Sequence, residues 1–244
     1  MRFIITFLLL ISGTASASDE QLKITKLADN LYQHISYKNI KPWGMVGASG
    51  LIVVDGKNAH IIDTPWTQEE TEKLINWIRS KGLIAKSSIV THFHEDASGG
   101  IPFLNKSKIK TYATSQTNNL LNLKHREQSS NEIPSTTFEL VKGTIEIYYP
   151  GPGHTEDNIV VWLPKSNILF GGCFVKSMNS KNLGNTEDAS INKWPASIQK
   201  VINKYPNIEI VVPGHGKVGD INLLKHTAKL ALGVASNKLL KQGS

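Results

Sequence analysis

Metal-competent side chains follow short, apolar, strand-like stretches at four separate places along this chain of 244 residues. Each of these side chains lies beside a glycine or at the end of a predicted strand. Loops on a rigid scaffold carry functional groups well when the strands deliver them to one edge. The fold must therefore bring four distant loops together. The six side chains, in chain order, are His92, His94, Asp96, His154, Cys173 and His215.

The apolar periodicity predicts two similar halves in which strands come first and helices follow. In the first half we expect a helix that begins at Thr67, where Thr67 and Glu70 have capping-box spacing, and ends near Gly82. An Asp55-Gly56 turn joins two of the strands predicted over 30–35, 50–54, 59–62 and 87–90. The second half has predicted strands over 144–149, 159–163, 168–170 and 208–212, and helices over 194–204 and from about Asp220. This order favours an α/β fold with two sheets packed face to face and helices outside them.

The first residues are typical of a signal peptide. Arg2 is followed by an apolar run, and Ala15-Ser16-Ala17 has the small side chains that signal peptidase accepts. We therefore predict a signal peptide over 1–17, a single domain over 18–244 and export to the periplasm; the alternative is a short buried helix at the N-terminus. No other segment is apolar for long enough to be a membrane anchor.

Charge and cysteine content limit the functional classes. The formal charge is +7, and without Arg2 it is +6. The lysines are scattered, so the sequence does not indicate a nucleic-acid site. The single cysteine, Cys173, cannot form an internal disulfide in an oxidising compartment. It is either a small buried apolar residue or a thiolate that binds a metal ion.

The six side chains together favour two zinc ions. Zinc prefers imidazole, thiolate and carboxylate ligands, and a catalytic ion leaves one position for water. Two neighbouring ions lower the pKa of a shared water from about 15.7 to about 7, so hydrolysis needs no protein nucleophile. Singly, Asp96 could cap a turn, and His154 or His215 could be a hydrogen-bonded loop histidine. The remaining histidines of the mature chain are interpreted as structural or surface residues: His34, His60, His125 and His226.

Four short motifs contain the six side chains: His92-Phe93-His94-Glu95-Asp96, Gly153-His154-Thr155, Gly171-Gly172-Cys173 and Pro213-Gly214-His215. These motifs resemble the zinc motifs of metallo-β-lactamases. Their order and spacing are similar to those of subclass B1, and to imipenemase-like acquired enzymes in particular. The resemblance covers essentially the whole mature chain. It implies a four-layer αβ/βα sandwich with one zinc ion on His92, His94 and His154 and a second on Asp96, Cys173 and His215.

The resemblance also implies roles for residues around the metal ions. Lys176 matches a lysine that anchors the substrate carboxylate, and Asn182 an asparagine near the lactam carbonyl; the alternatives are a solvated lysine and a loop-capping amide. Trp43 matches a flexible hairpin over the site, the alternative being a packed core residue. Asp63 either supports the metal site or ends a strand. Ala97 stands where relatives often carry a larger or polar residue, which predicts weaker support of the second zinc.

The implied activity is hydrolysis of the β-lactam amide of penicillins, cephalosporins and carbapenems, which confers antibiotic resistance. In that reading Asp96 orients the attacking hydroxide and Asn182 helps to stabilise the oxyanion. The expected partners are β-lactam antibiotics, with no nucleic acid and no membrane anchor, and the protein is expected to be a monomer. Two rivals stay open: a thioester or lactone hydrolase of the same superfamily, and a secreted protein that buffers zinc without catalysis.

Overall fold

A computed structural model describes residues 22–242 of the chain. The predicted signal peptide over 1–17 lies outside these residues. The helices are α1 (Gln68–Ser80), α2 (Glu95–Ser98), α3 (Ile101–Lys106), α4 (Ser115–Leu123), α5 (Trp194–Lys204) and α6 (Asn222–Gln242). The strands are β1 (Lys23–Ala28), β2 (Leu31–Ile40), β3 (Gly44–Asp55), β4 (Asn58–Ile62), β5 (Ile84–Ile89), β6 (Lys110–Ala113), β7 (Asn131–Glu132), β8 (Thr137–Val141), β9 (Ile145–Tyr148), β10 (Val160–Leu163), β11 (Ile168–Gly172) and β12 (Ile210–Pro213).

The strands form two mixed sheets. Seven strands lie in the order β1-β2-β3-β4-β5-β6-β7, and five in the order β12-β11-β10-β9-β8. The pairs within β1–β4 and within β8–β11 are antiparallel, whereas β4–β7 and the β11–β12 pair are parallel. Antiparallel neighbours need only short turns, and each parallel neighbour needs a longer connection over the sheet. The connections between parallel strands carry α1 to α5 and the candidate ligands His92, His94, Asp96 and Cys173. His154 lies between the antiparallel strands β9 and β10, and His215 follows β12.

Alternation along β3 and β4 places the first sheet between two apolar layers. Leu51, Val53 and Ile62 pack against apolar residues of the second sheet. Ile52 and Ile61 point the other way and pack against the buried face of α1. Successive side chains of a strand point to opposite faces, so an uninterrupted apolar run has both faces covered.

The second sheet is covered in the same way. Val161 and Phe170 belong to the layer between the sheets. Val160, Trp162 and Leu169 face outward, onto a cluster that includes residues of α5 and α6. The layers therefore run helix, sheet, sheet, helix. The predicted αβ/βα sandwich is confirmed.

The α1 helix begins where its capping signal predicts. Thr67 is the N-cap residue, and its hydroxyl accepts a hydrogen bond from Glu70 N at 3.1 Å. In a full capping box the carboxylate of Glu70 would also accept a hydrogen bond from Thr67 N, and it does not do so here. It accepts instead from Tyr37 N at 3.0 Å and thereby ties the helix to β2.

Several elements were not predicted: β1, β6, β7, β8, α2 and α4. β1, β7 and β8 lie at sheet edges, where many side chains are intermediate or exposed. Such strands need no continuous apolar face, so their periodicity is weak. Within residues 22–242, no helix combines the length and the apolar composition that crossing a membrane requires.

Candidate metal centre

The first metal-binding loop leaves β5 on a buried hydrogen-bonded support. Asp63, at the end of β4, accepts from Thr91 N and from Thr91 Oγ1, both at 2.7 Å. Burial raises the pKa of Asp63 to about 7, against the opposing influence of His92. Because Thr91 Oγ1 donates to Asp63, it is free to accept from Nδ1 of His92, 3.3 Å away. Asp63 therefore both ends its strand and helps to orient His92.

Two glycines let this loop pack against the start of α1. A Cβ on Gly99 would lie 2.1 Å from the carbonyl oxygen of Trp66. A Cβ on Gly100 would lie 2.3 Å from Thr71 Oγ1. Both glycines have ordinary right-handed backbone angles. They are required for close approach, and not for a turn conformation that only glycine adopts.

Three histidine rings meet at the end of this loop. The ring centroids of His92, His94 and His154 are 4.9 to 5.1 Å apart. His94 Nδ1 lies 3.1 Å from His154 Nε2. Burial lowers the pKa of His154 well below its ordinary value, and neighbouring positive charges add to this. A neutral imidazole is the form that binds a metal ion.

The second group consists of Asp96, Cys173 and His215. Asp96 Oδ2 is 3.1 Å from Cys173 Sγ and 3.0 Å from His215 Nε2. Cys173 Sγ and His215 Nε2 are 3.3 Å apart. Burial opposes a charge on Asp96, but the His215 and His92 rings hold the pKa of its carboxyl well below its ordinary value. Burial and the Asp96 charge raise the pKa of the Cys173 thiol.

The donor set fits metal ions. Ligand atoms lie within 4.8 Å of one another in three overlapping groups: His92, His94 and Asp96; His92, His154 and Cys173; Asp96, Cys173 and His215. His92 Nε2 and Asp96 Oδ1 are buried and face each other 3.4 Å apart, and neither has a hydrogen-bond partner among the described residues. Uncompensated buried polar atoms are costly, and a cation between them removes that cost. The overlapping groups thus unite all six predicted ligands in one cluster.

Two partners of the cluster were not anticipated from the sequence. His94 Nε2 lies 2.9 Å from Asp188 Oδ2, which leaves Nδ1 of His94 to face His154. His215 Nδ1 lies 2.8 Å from the carbonyl oxygen of Gly47, so that Nε2 faces Asp96 and Cys173. Such partners fix the tautomer and the orientation of a metal-binding ring. They are far apart in the chain, and neither belongs to a recognisable motif.

A comparison with protein families adds to this geometry. The profile described as "Metallo-beta-lactamase superfamily" matches residues 43–215, a span that contains all six clustered ligands. The chain belongs to this superfamily. Metallo-β-lactamases need metal ions, and the cluster described above supplies candidate ligands.

Individual metallo-β-lactamases are similar over most of the chain. A relative from Pseudomonas aeruginosa named "Metallo-beta-lactamase type 2" is 44% identical over 218 residues, 89% of this chain and 87% of the relative. One of the same name from Bacteroides fragilis is 38% identical, with 86% of each chain covered. The crystal structure titled VMB-1 is 65% identical, with a TM-score of 0.87 over 88% of this chain and 98% of that one. The predicted resemblance to subclass B1 metallo-β-lactamases is confirmed.

A cavity of about 440 Å³ lies over the cluster of candidate ligands. Four predicted ligands contribute to its lining: His94, Asp96, His154 and His215. An apolar wall is formed by Ile40, Trp43, Val46 and Trp66. The volume suits a small organic ligand, and the wall can bury its apolar substituents.

The structure places Trp43 and Lys176 in the lining of this cavity. Trp43 lies in the turn between β2 and β3 and is 60% exposed, so it is not a packed core residue. Lys176 is buried, and its Nζ is 5.5 Å from the centroid of the Trp194 ring. Burial lowers the pKa of Lys176, although the charges of Cys173 and Asp96 oppose this. Lys176 is therefore not an ordinary solvated lysine.

Asn182 is not brought to the cavity with the others. It is exposed, and its Oδ1 accepts from Gly184 N at 2.9 Å, as a loop-capping amide does. Gly184 and Asn185 line the cavity instead. Asn185 Oδ1 accepts from Glu187 N at 3.0 Å, which leaves Nδ2 as the group that this amide can donate. The sequence contains both amides, and only the path of the loop distinguishes them.

The four other histidines do not belong to the three groups of candidate metal ligands, as predicted. His34 Nε2 contacts the carbonyl oxygen of Asp63 at 3.1 Å, and His60 Nδ1 contacts Ser87 Oγ at 2.7 Å. His226 is half-buried, and its Nε2 lies 2.8 Å from the carbonyl oxygen of Ser180. His125 is exposed.

Proposed function

We propose that this chain is a periplasmic, monomeric β-lactamase that binds two zinc ions and opens the amide of penicillins, cephalosporins and carbapenems. The observation that carries the proposal is the cavity over the cluster, with metal-competent residues at its base and apolar and cationic residues on its sides. The β-lactamase names of relatives that cover most of the chain support the same reaction. Hydrolysis of these drugs would make the host resistant.

The proposed ligand sets are those that the motifs indicate. His92, His94 and His154 would hold one zinc ion. Asp96, Cys173 and His215 would hold the other. Zinc supplies a Lewis acid and a water of lowered pKa, which makes a nucleophile available at neutral pH.

The residues around the cluster would bind and orient the substrate. Lys176 offers a buried cation to the carboxylate that most β-lactams carry. Trp43 would cover an apolar substituent, since an exposed aromatic side chain on a hairpin can move over a bound ligand. Asp96 Oδ1 has no hydrogen-bond partner among residues 22–242, so it can accept a hydrogen bond from a bound nucleophile and orient it.

The two rival functions fit the site less well. A protein that only stores zinc normally closes each ion with four protein ligands, whereas these sets have three each beside an accessible cavity. A thioester or lactone hydrolase does not require Cys173 in the cluster. It also commonly carries a histidine where this chain has Ala97.

Metal removal tests the proposed function. Purified protein is expected to open a chromogenic cephalosporin, to lose this activity after dialysis against a chelator, and to regain it when zinc is added. Absorbance of the opened product measures turnover, and metal analysis gives the zinc content at each step. Turnover that survives thorough metal removal would refute the zinc mechanism. Zinc binding without turnover of any β-lactam would favour the storage protein.

The positions of the two asparagines predict different effects of their removal. Asn185→Ala is expected to lower kcat/KM for a cephalosporin at least about 10-fold, because a donor to developing negative charge contributes up to roughly 10²- to 10³-fold. Asn182→Ala is the matched control and should change kcat/KM less than about 2-fold, because Asn182 does not line the cavity. Steady-state kinetics of both variants decide between them. The reverse order of effects would restore the role first assigned to Asn182.

A further inference from the structure

Arg126 does not line the cavity over the candidate ligands, but it contacts the back of the loop that carries three of the six ligands. Its Nη1 donates to the carbonyl oxygen of Phe93 at 2.7 Å, and its Nη2 donates to Ser98 Oγ at 2.9 Å. Phe93 stands between His92 and His94, and Ser98 comes two residues after Asp96. One guanidinium group therefore connects the two ends of the metal-binding loop.

Ser98 extends this connection to the backbone of a ligand. It is buried, and its hydroxyl lies 2.9 Å from the carbonyl oxygen of Phe93 and 2.7 Å from that of His94. The hydroxyl hydrogen is directed at these carbonyl oxygens, so its oxygen remains free to accept from Arg126. The guanidinium, the hydroxyl and two carbonyl groups form a network behind the ligands.

The partners of Arg126 indicate what it contributes. Its hydrogen bonds go to two neutral oxygens, and within residues 22–242 it forms no salt bridge. Burying part of a cation costs free energy, and no paired carboxylate offsets that cost here. The planar guanidinium group of arginine can, however, hold two acceptor oxygens in fixed positions by donating to both at once. Partial burial lowers the pKa of Arg126, and the charges of Glu95 and, to a smaller extent, Asp96 oppose this through space.

Ala97 explains why the loop needs support from elsewhere. The residue next to Asp96 offers only a methyl group, which packs in an apolar cluster with Val90, Phe93 and Leu121. This methyl group forms no hydrogen bond, and the loop is held here by the carbonyl oxygen of Ala97, which accepts from Thr64 N at 2.7 Å and from Thr64 Oγ1 at 3.0 Å. Arg126, from the segment after α4, supplies donors from a distant part of the chain.

We propose that Arg126 is a positioning residue that holds the loop over 91–98 and thereby strengthens metal binding by Asp96, Cys173 and His215. This rests on the proposed two-metal function. The geometry of a ligand set depends on the backbone that carries it, and loss of residues that support ligands typically lowers metal affinity roughly 10- to 100-fold. The three-histidine set should weaken as well, because His92 and His94 come from the same loop. The thiolate of Cys173 allows the second set to be followed by itself.

The test compares metal binding by Arg126→Ala, Arg126→Lys and the wild-type protein. Cobalt(II) is titrated into each metal-free protein, because the thiolate of Cys173 gives a charge-transfer absorption band only when the second site is filled. The Arg126→Ala variant is expected to need about 10-fold more free cobalt to reach half of this band. The Arg126→Lys variant, which keeps the charge but loses the fork, should lie between the two. Arg79→Ala, which removes an exposed arginine of α1, is the control and should match the wild type.

Chemical rescue separates positioning from general stability. Arg126 lines a polar cavity of about 420 Å³, so methylguanidinium can enter the space that Arg126→Ala creates. Millimolar methylguanidinium is expected to restore much of the cobalt affinity of Arg126→Ala and to leave Arg79→Ala unchanged. If Arg126→Ala does not fold, Arg126→Lys carries the comparison.

Three results would overturn the proposal. The first is wild-type cobalt affinity in Arg126→Ala. The second is a loss of cobalt affinity that methylguanidinium does not reverse. The third is a loss of cobalt affinity that is no larger, in free energy, than the loss of folding stability measured by thermal unfolding of the metal-free variant. If the wild-type protein hydrolyses β-lactams with two ions and Arg126→Ala binds both normally, only the role of Arg126 fails. If the wild-type protein binds no second ion, the two-metal function fails, and the role of Arg126 fails with it.

Discussion

Replacing Asp96 with asparagine is expected to lower kcat for a cephalosporin at least about 100-fold. Asparagine has nearly the same shape, so the change removes the negative charge and little else. The carboxylate lies 3.0 Å from His215 Nε2 and 3.1 Å from Cys173 Sγ, and its second oxygen has no hydrogen-bond partner in the described part of the chain. Loss of a group that both binds metal and positions a proton removes roughly 10²- to 10⁴-fold of rate. Steady-state kinetics at saturating zinc measure the effect.

Saturating zinc matters because Asp96→Asn also weakens metal binding. A defect that excess zinc reverses completely would make Asp96 a ligand only, whereas a residual loss in kcat reports its role in orienting the nucleophile. Asp29→Asn is the matched control, because Asp29 is exposed and pairs with Lys26 far from the candidate ligands in the sequence. A variant of Asp96 with both wild-type kcat and wild-type zinc affinity would contradict both roles.

The fold could be predicted from the sequence wherever burial leaves an apolar pattern. β3 and β4 are covered on both faces, so their residues form nearly continuous apolar runs. The helix α1 has both a capping residue and an apolar face. The edge strands β1 and β8 are largely uncovered, and β7 consists of two residues. Their pairing depends on neighbours that are absent from any short window of sequence.

The candidate site shows the same division. His92, His94 and Asp96 form a compact motif, and the glycines beside His154, Cys173 and His215 mark the other three ligands. The groups that orient these ligands have no such signal. Asp188 is 94 residues from His94, and the carbonyl oxygen of Gly47 is 168 residues from His215. Only the folded chain brings them together.

Asn182 shows how a correct motif can still indicate a different residue. The motif identifies the loop after Cys173 that carries an amide, but the loop has three asparagines, Asn179, Asn182 and Asn185. Asn182 and Asn185 each accept from the backbone N–H two residues further on, so this bond does not distinguish them. Asn185 lines the cavity and Asn182 does not. Backbone conformation, which the residue pattern does not specify, decides which amide can reach a substrate.

Replacing Cys173 with serine is expected to reduce the zinc content from two ions to one after dialysis against a weak chelator. Serine is similar in size, but its hydroxyl is a far weaker zinc ligand than a thiolate. Residues that merely support a ligand already contribute roughly 10- to 100-fold in affinity, so loss of the ligand itself should exceed about 100-fold. Metal analysis and zinc titration of the dialysed variant measure this loss.

The Cys173→Ser variant also discriminates between the two ligand sets. The three-histidine set does not include Cys173, so one zinc ion should remain bound with near wild-type affinity. The chain has a single cysteine, and the cobalt-thiolate absorption band should therefore disappear completely. Cys173 is buried in a network with Asp96 and His215, so the melting temperature of the metal-free variant serves as the control for packing. A variant that kept two tightly bound zinc ions and full activity would show that the second site lies elsewhere, because no other residue of this chain can supply a thiolate.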